Sequence, residues 1–158
     1  MILKYLSFSI SIVFISFIVG MILTALIRKT DFYKKTLSKL NFLKSDLLNN
    51  LIGVGLVKWI VKNTFFKYLN PSLKIDRKMK LAELNNIRNQ MSKAEIDHLF
   101  AFLFVIIFVI LKIYKQEYIF AFVIFLVNIL MNLCPTLLQQ QNKRRLDKLI
   151  IRFLKSTE

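Results

Sequence analysis

The chain has 158 residues, enough for one domain, and 56% of them are hydrophobic, with a mean hydropathy of +0.53. Only 3 Gly and 2 Pro occur, which favours long helices over a turn-rich β-fold, and the single cysteine, Cys134, excludes an internal disulfide framework and a Cys-based zinc cluster. The formal net charge of +15 would suggest nucleic acid in a soluble protein, but beside such apolar runs it points to anionic lipid headgroups.

In chain order, residues 6 to 27 form a run of 22 without a charge, long enough to cross a bilayer. Only Lys4 precedes the run and no A-x-A site follows, so it reads as an uncleaved transmembrane helix, not a signal peptide. Residues 28 to 98 are a basic stretch with 15 of the 24 Lys and Arg. Inside it, residues about 50 to 69 are apolar but interrupted. Lys58 and Lys62 share a helix face, and Trp59, Phe65, Phe66 and Tyr68 are bulky anchors, so the segment reads as an interfacial or re-entrant helix ended by Asn70-Pro71.

Residues 96 to 114 form a second span around the apolar core 99 to 111, with Lys112 placed to snorkel. A short "KQE" break follows, and residues 118 to 138 make a third span, so the two form a transmembrane helical hairpin. The tail, 139 to 158, is a basic amphipathic helix with Leu146, Leu149, Ile150 and Phe153 at helical spacing. The expected fold is therefore all-α and integral to the membrane. The positive-inside rule puts the amino terminus outside and the basic loop and tail in the cytoplasm. That orientation fits a multi-pass membrane protein with a cytoplasmic tail.

Two polar sets stand out. Asn128, Asn132, Pro135, Gln139 and Asn142 are spaced by four, three, four and three, one stripe of an ideal helix. Amides in hydrocarbon need partners, so the stripe faces another helix, as glue or as a pocket for a substrate hydroxyl or headgroup. Glu95 and His98, the only histidine, are three apart at the mouth of the second span. Ser92-x-x-Glu95 matches a capping box, which makes His98 an interfacial residue with a wet tip. The alternative is a base and its orienter: His98 takes a proton from an alcohol and Glu95 stabilises the imidazolium. The charge run "QNKRRLDK" is a solvated face or a holder of phosphate or carboxylate. No Gly-rich phosphate loop, H-E-x-x-H or G-x-S-x-G is present, and no metal site is expected.

"AEIDHLFAF" followed by "NLCPTLLQQQNKRRL" resembles the glycosyl-4,4'-diaponeurosporenoate acyltransferase family over roughly residues 50 to 150. Glu95, His98, Asn132, Gln139, Asn142, Arg145 and Leu146 match its pattern, and Lys58-Trp59 resembles a further segment. Gln140 and Lys143 stand where that pattern often has arginine. The resemblance implies a small membrane O-acyltransferase that esterifies the sugar of a glycosylated carotenoid or other glycolipid. In the leading reading His98 is the general base and Glu95 its orienter, with Asn128, Asn132, Gln139, Asn142, Lys143 and Arg145 around the substrates. The expected co-substrate is an acyl donor such as acyl-CoA or acyl carrier protein, with no resident cofactor. Expected partners are membrane lipids with anionic headgroups and the lipid-linked sugar, and no nucleic acid. A protein partner or a second copy of the chain is left open. The rival reading is a non-enzymatic membrane subunit or lipid-binding scaffold.

Overall fold

The computed structural model describes residues 1–43, 45–64 and 79–155. These residues form helices with no strand among them: α1 (Ile2–Ile27), α2 (Asp31–Lys35), a 3-10 turn (Leu37–Lys39), α3 (Asp46–Leu51), α4 (Val54–Asn63), α5 (Leu81–Tyr114), α6 (Tyr118–Asn128) and α7 (Cys134–Lys155). A π-helical turn, Ile129–Leu133, joins α6 to α7 without a break. Three helical units, Ile2–Ile27, Leu81–Tyr114 and Tyr118–Lys155, are long and apolar enough to cross a membrane.

The three long units bundle because each carries one inward stripe. On α1 the stripe is Ser9, Ile12, Val13, Ser16, Gly20 and Thr24, of which Ser9, Ser16, Gly20 and Thr24 are small enough to let backbones approach. A Cβ built on Gly20 would lie 2.1 Å from the Asp97 carbonyl oxygen, so only glycine permits this crossing of α1 and α5. Below it, Ile12 and Val13 meet Val105, Val109, Phe120, Ala121 and Ile124 in one apolar core, with Tyr5 stacked on Phe120. The outward faces carry Phe14, Ile18, Ile110 and Phe122, each more than half exposed, as expected of a surface solvated by lipid. At the tight hairpin turn Gln116 takes φ 60°, and Lys112 reaches over the Phe120 ring and to Glu117.

α5 is longer than the sequence suggested. It starts at Leu81, where Glu83 accepts the Lys80 backbone N–H, so Ser92 and Glu95 lie in mid-helix and cap nothing. The cause is tertiary: Leu84, Ile87 and Met91 follow helical spacing and bury against Leu146 and Ile150 of α7, and Arg88 forks onto Asp147. The expected interfacial helix corresponds to α3 and α4. Gly53, at φ 101°, breaks them apart, and Val54 and Val57 dock on Cys134, Leu137 and Leu138 while Trp59 stays exposed. Phe65, Phe66, Tyr68 and the Asn70-Pro71 stop lie outside the described residues, as do 156–158.

Candidate functional site

The bundle's basic end, where α2 and the 36–43 segment meet α5 and α7, holds a dense set of buried polar groups. Glu95 is fully buried. Its Oε1 accepts from Gln140 Nε2 at 2.8 Å and its Oε2 from Lys143 Nζ at 2.5 Å. Lys143 also donates to the Ser38 carbonyl at 3.1 Å, and Gln140 Oε1 accepts the Phe42 backbone N–H at 2.9 Å. Arg144 donates to Asn41 Oδ1 and to the Leu43 carbonyl, and Ser92 Oγ lies 3.4 Å from the Ser38 carbonyl. Residues 38–43 are thus strapped across α5 and α7 by side chains of both helices. A carboxylate and an ammonium taken out of water need such complete partnering, because an unpaired buried charge costs several kcal/mol.

Half a turn along α5, Asp97 pairs with Lys93 through Oδ2 at 2.7 Å, while its Oδ1 is buried without a partner among the described residues. Tyr33 of α2 lies close enough to feel Asp97 and Glu95. Burial first, then these two carboxylates, push its phenol above the ordinary tyrosine range.

Deeper still is His98. Its ring meets the edge of Phe17 on α1, centroids 5.3 Å apart at 89°. Asn132 of the π turn lies close enough to act on it. His98 Nδ1 and Asn132 Oδ1 are both buried, and neither has a hydrogen-bond partner among the described residues. Asn132 Nδ2 donates to Asn128 Oδ1 at 2.8 Å and to Ser16 Oγ at 3.3 Å, and Asn128 Nδ2 donates to the Phe102 carbonyl at 3.1 Å. These bonds tie α1, α5 and the α6–α7 unit together inside the span.

The expected site residues are therefore not one surface. Glu95 and His98 share a helix but turn to different neighbours, Glu95 to Gln140 and Lys143, His98 to Phe17 and Asn132. Asn128, Asn132 and Lys143 lie on the buried stripe. Its other members are Thr136 and Gln140, not Gln139 and Asn142. The π turn explains the change. Its wider winding takes back the rotation that a straight α-helix accumulates at intervals of four, so positions 128, 132, 136 and 140 stay on one face. Gln139 and Asn142 lie beside that face, half-buried, and Gln139 Oε1 has no partner among the described residues. Arg145 points outward and is exposed. Sequence reasoning missed Gln140, Ser38, Ser16 and Tyr33. Only Ser16 left a trace, as a small polar residue at helical spacing from Ser9, Gly20 and Thr24.

A sequence model described as glycosyl-4,4'-diaponeurosporenoate acyltransferase matches residues 29–152. No curated protein and no solved structure matches the chain.

Proposed function

The chain belongs to the glycosyl-4,4'-diaponeurosporenoate acyltransferase family, and from that premise we propose that it is a membrane-embedded O-acyltransferase. It esterifies a sugar hydroxyl of a glycosylated isoprenoid or related glycolipid with a fatty acyl chain. One observation carries the reading: the only histidine is held inside the span, edge-on to Phe17, its buried Nδ1 without a hydrogen-bond partner among the described residues. An ionisable side chain within a membrane helix is costly and calls for a functional reason. Interhelical side-chain bonds in membranes average only about 0.6 kcal/mol, so stability alone is a weak motive for placing one there.

In this mechanism His98 removes the proton of the sugar hydroxyl as its oxygen attacks the acyl carbonyl of a thioester donor. The thiolate then leaves and recovers that proton from the imidazolium, so ester and free thiol are the products. Glu95 contributes by locking α5 to α7 and thereby fixing the depth of His98. Gln139 and Asn142, beside the buried stripe, bind sugar hydroxyls. Arg145, exposed at the basic end, draws in the phosphates of acyl-CoA or the acidic surface of acyl carrier protein. The orientation that suits a cytoplasmic donor has the basic end inside, as the distribution of Lys and Arg favours.

The test is lipid analysis of cells with and without the gene. Loss of one acylated glycolipid and accumulation of its deacylated form is the expected result. An unchanged lipid profile contradicts the reading. A second reading, a non-enzymatic membrane scaffold, draws on the fact that Asn128, Asn132 and Glu95 all spend bonds between helices. It expects a stoichiometric protein partner on purification and no turnover.

A further inference from the structure

We infer that α3 and α4 form a re-entrant hairpin. The chain enters the bilayer from the basic end, turns at Gly53 inside the leaflet and returns, with Leu47, Leu51 and Leu56 set against lipid acyl chains. Such a hairpin is independent of the acyltransferase reading.

α7 gives the depth. The apolar run of the third span ends at Leu138, and Gln139, Gln140 and Gln141 follow. On the way in, the Phe42 backbone N–H donates to Gln140 Oε1 and the Leu43 carbonyl accepts from Arg144, each at 2.9 Å. Both partners lie past the end of the apolar run. The Ile52 carbonyl, by contrast, accepts from Cys134 Sγ at 3.3 Å. Cys134 is six residues before Gln140 and ten before Arg144, so the chain descends about 9–15 Å along α7 between these bonds. A Cβ built on Gly53 would lie 3.7 Å from both Cys134 Sγ and Leu130 Cδ2. Leu130 is eight residues inside the end of the run, or about 12 Å. Half the hydrocarbon thickness is about 15 Å. A helix lying flat at the interface would meet α7 at one level only.

The turn suits a medium without water. Hydrocarbon offers no donor to a bare carbonyl, so irregular backbone persists there only where protein satisfies it. The Ile52 carbonyl has the Cys134 thiol, and the Gly53 carbonyl has the Val57 N–H at 3.2 Å. From Gly53, the 10 residues of α4 rise about 15 Å, enough to bring the chain back out. Val54 and Val57 line its α7 side, and Lys62 and Asn63 are exposed at its end, where an ammonium meets headgroups. Trp59, in the upper half of α4, sits at the level that tryptophan favours.

The outer face is apolar. Leu51 is 81% exposed, Leu47 74% and Leu56 54%. Leu130, which borders the Gly53 turn, is exposed as well, so this face runs on into the lipid-facing side of the third span. Asn49 of α3 is instead fully buried, which keeps its amide out of the lipid.

Trp59 is the only tryptophan, so its fluorescence reports one depth. The full-length protein is placed in bilayers whose lipids carry bromine either near the headgroup or near the chain ends. Leu51→Trp and Leu47→Trp, each in a Trp59→Phe background, alter exposed positions and leave the core intact. Residue 51 should lie about 6 Å deeper than residues 47 and 59. Its quenching should be strongest with deep bromines, and that of the other two with shallow ones. Equal depth at all three positions means a flat interfacial helix and overturns the proposal. Strong quenching of residue 51 by aqueous acrylamide places the face in water and overturns it too. Insensitivity of residue 51 to bromine at either depth does the same, since the face is then covered by protein, such as a second copy of the chain. Wild-type Trp59 quenched most by deep bromines overturns it without any variant.

Discussion

Replacing Lys143 with methionine isolates the buried ion pair at the basic end. The side chains of Lys143 and Glu95 are 4% and 0% exposed. Methionine keeps most of the stem's packing but removes the ammonium, together with its bond to the Ser38 carbonyl. Glu95 is then left as a buried carboxylate with Gln140 as its one remaining donor among the described residues. Removing one partner of a buried pair costs about 3–5 kcal/mol. Gln140 remains, so the lower end, about 3 kcal/mol, is the expected loss. That corresponds to roughly a hundredfold in the unfolding constant. The assay is reversible SDS unfolding in mixed micelles, run as a double-mutant cycle with Glu95→Gln. The amide introduced by Glu95→Gln can still accept from Gln140 but carries no charge, so the double variant should return to within about 1 kcal/mol of wild type. A Lys143→Met loss below about 0.5 kcal/mol, or simple additivity in the cycle, would refute the idea that this pair locks α5 to α7.

Gly20→Ala puts a methyl into the Asp97 carbonyl, and because both groups are backbone-bound the helices must separate. A loss of about 2 kcal/mol or more in the same unfolding assay is expected, with a Phe17–His98 contact loosened in the NMR spectrum. Tyr33 gives the pH dependence. Its folded phenol ionises above the unfolded value because of burial and then Asp97 and Glu95. The stabilisation is thus complete below the unfolded pKa and is lost as pH rises through the folded one. Alkaline unfolding should be blunted in Tyr33→Phe, and the phenolate absorbance missing from that variant should appear late in the wild-type titration.

Much of the architecture was legible because the bilayer imposes simple lengths. The charge-free run 6 to 27 became Ile2–Ile27, and the polar break after Tyr114 became the hairpin turn. The start of α5 was not legible. Leu84, Ile87 and Met91 are too sparse to show that one helix runs unbroken from Leu81 into the span until their partners Leu146 and Ile150, some 60 positions away, are known. The polar stripe on α6–α7 was legible as far as Asn132 and then lost phase. A π turn stabilised by tertiary contact carries no local signature, and one such turn exchanged Gln139 and Asn142 for Gln140 and Lys143. Lys143 sits in a run of charges that local reasoning assigns to solvent. Its burial depends on a carboxylate on another helix and on the Ser38 carbonyl.

His98 carries the proposed chemistry, so its removal is the most direct test. Purified protein in lipid discs, given a labelled acyl thioester and a glycosylated isoprenoid acid, should form the acyl ester. His98→Ala should lose about 10²- to 10⁴-fold of that rate while keeping wild-type helicity and unfolding stability. Undiminished acyl transfer by His98→Ala would contradict a general-base role for this histidine and, with it, the proposed mechanism.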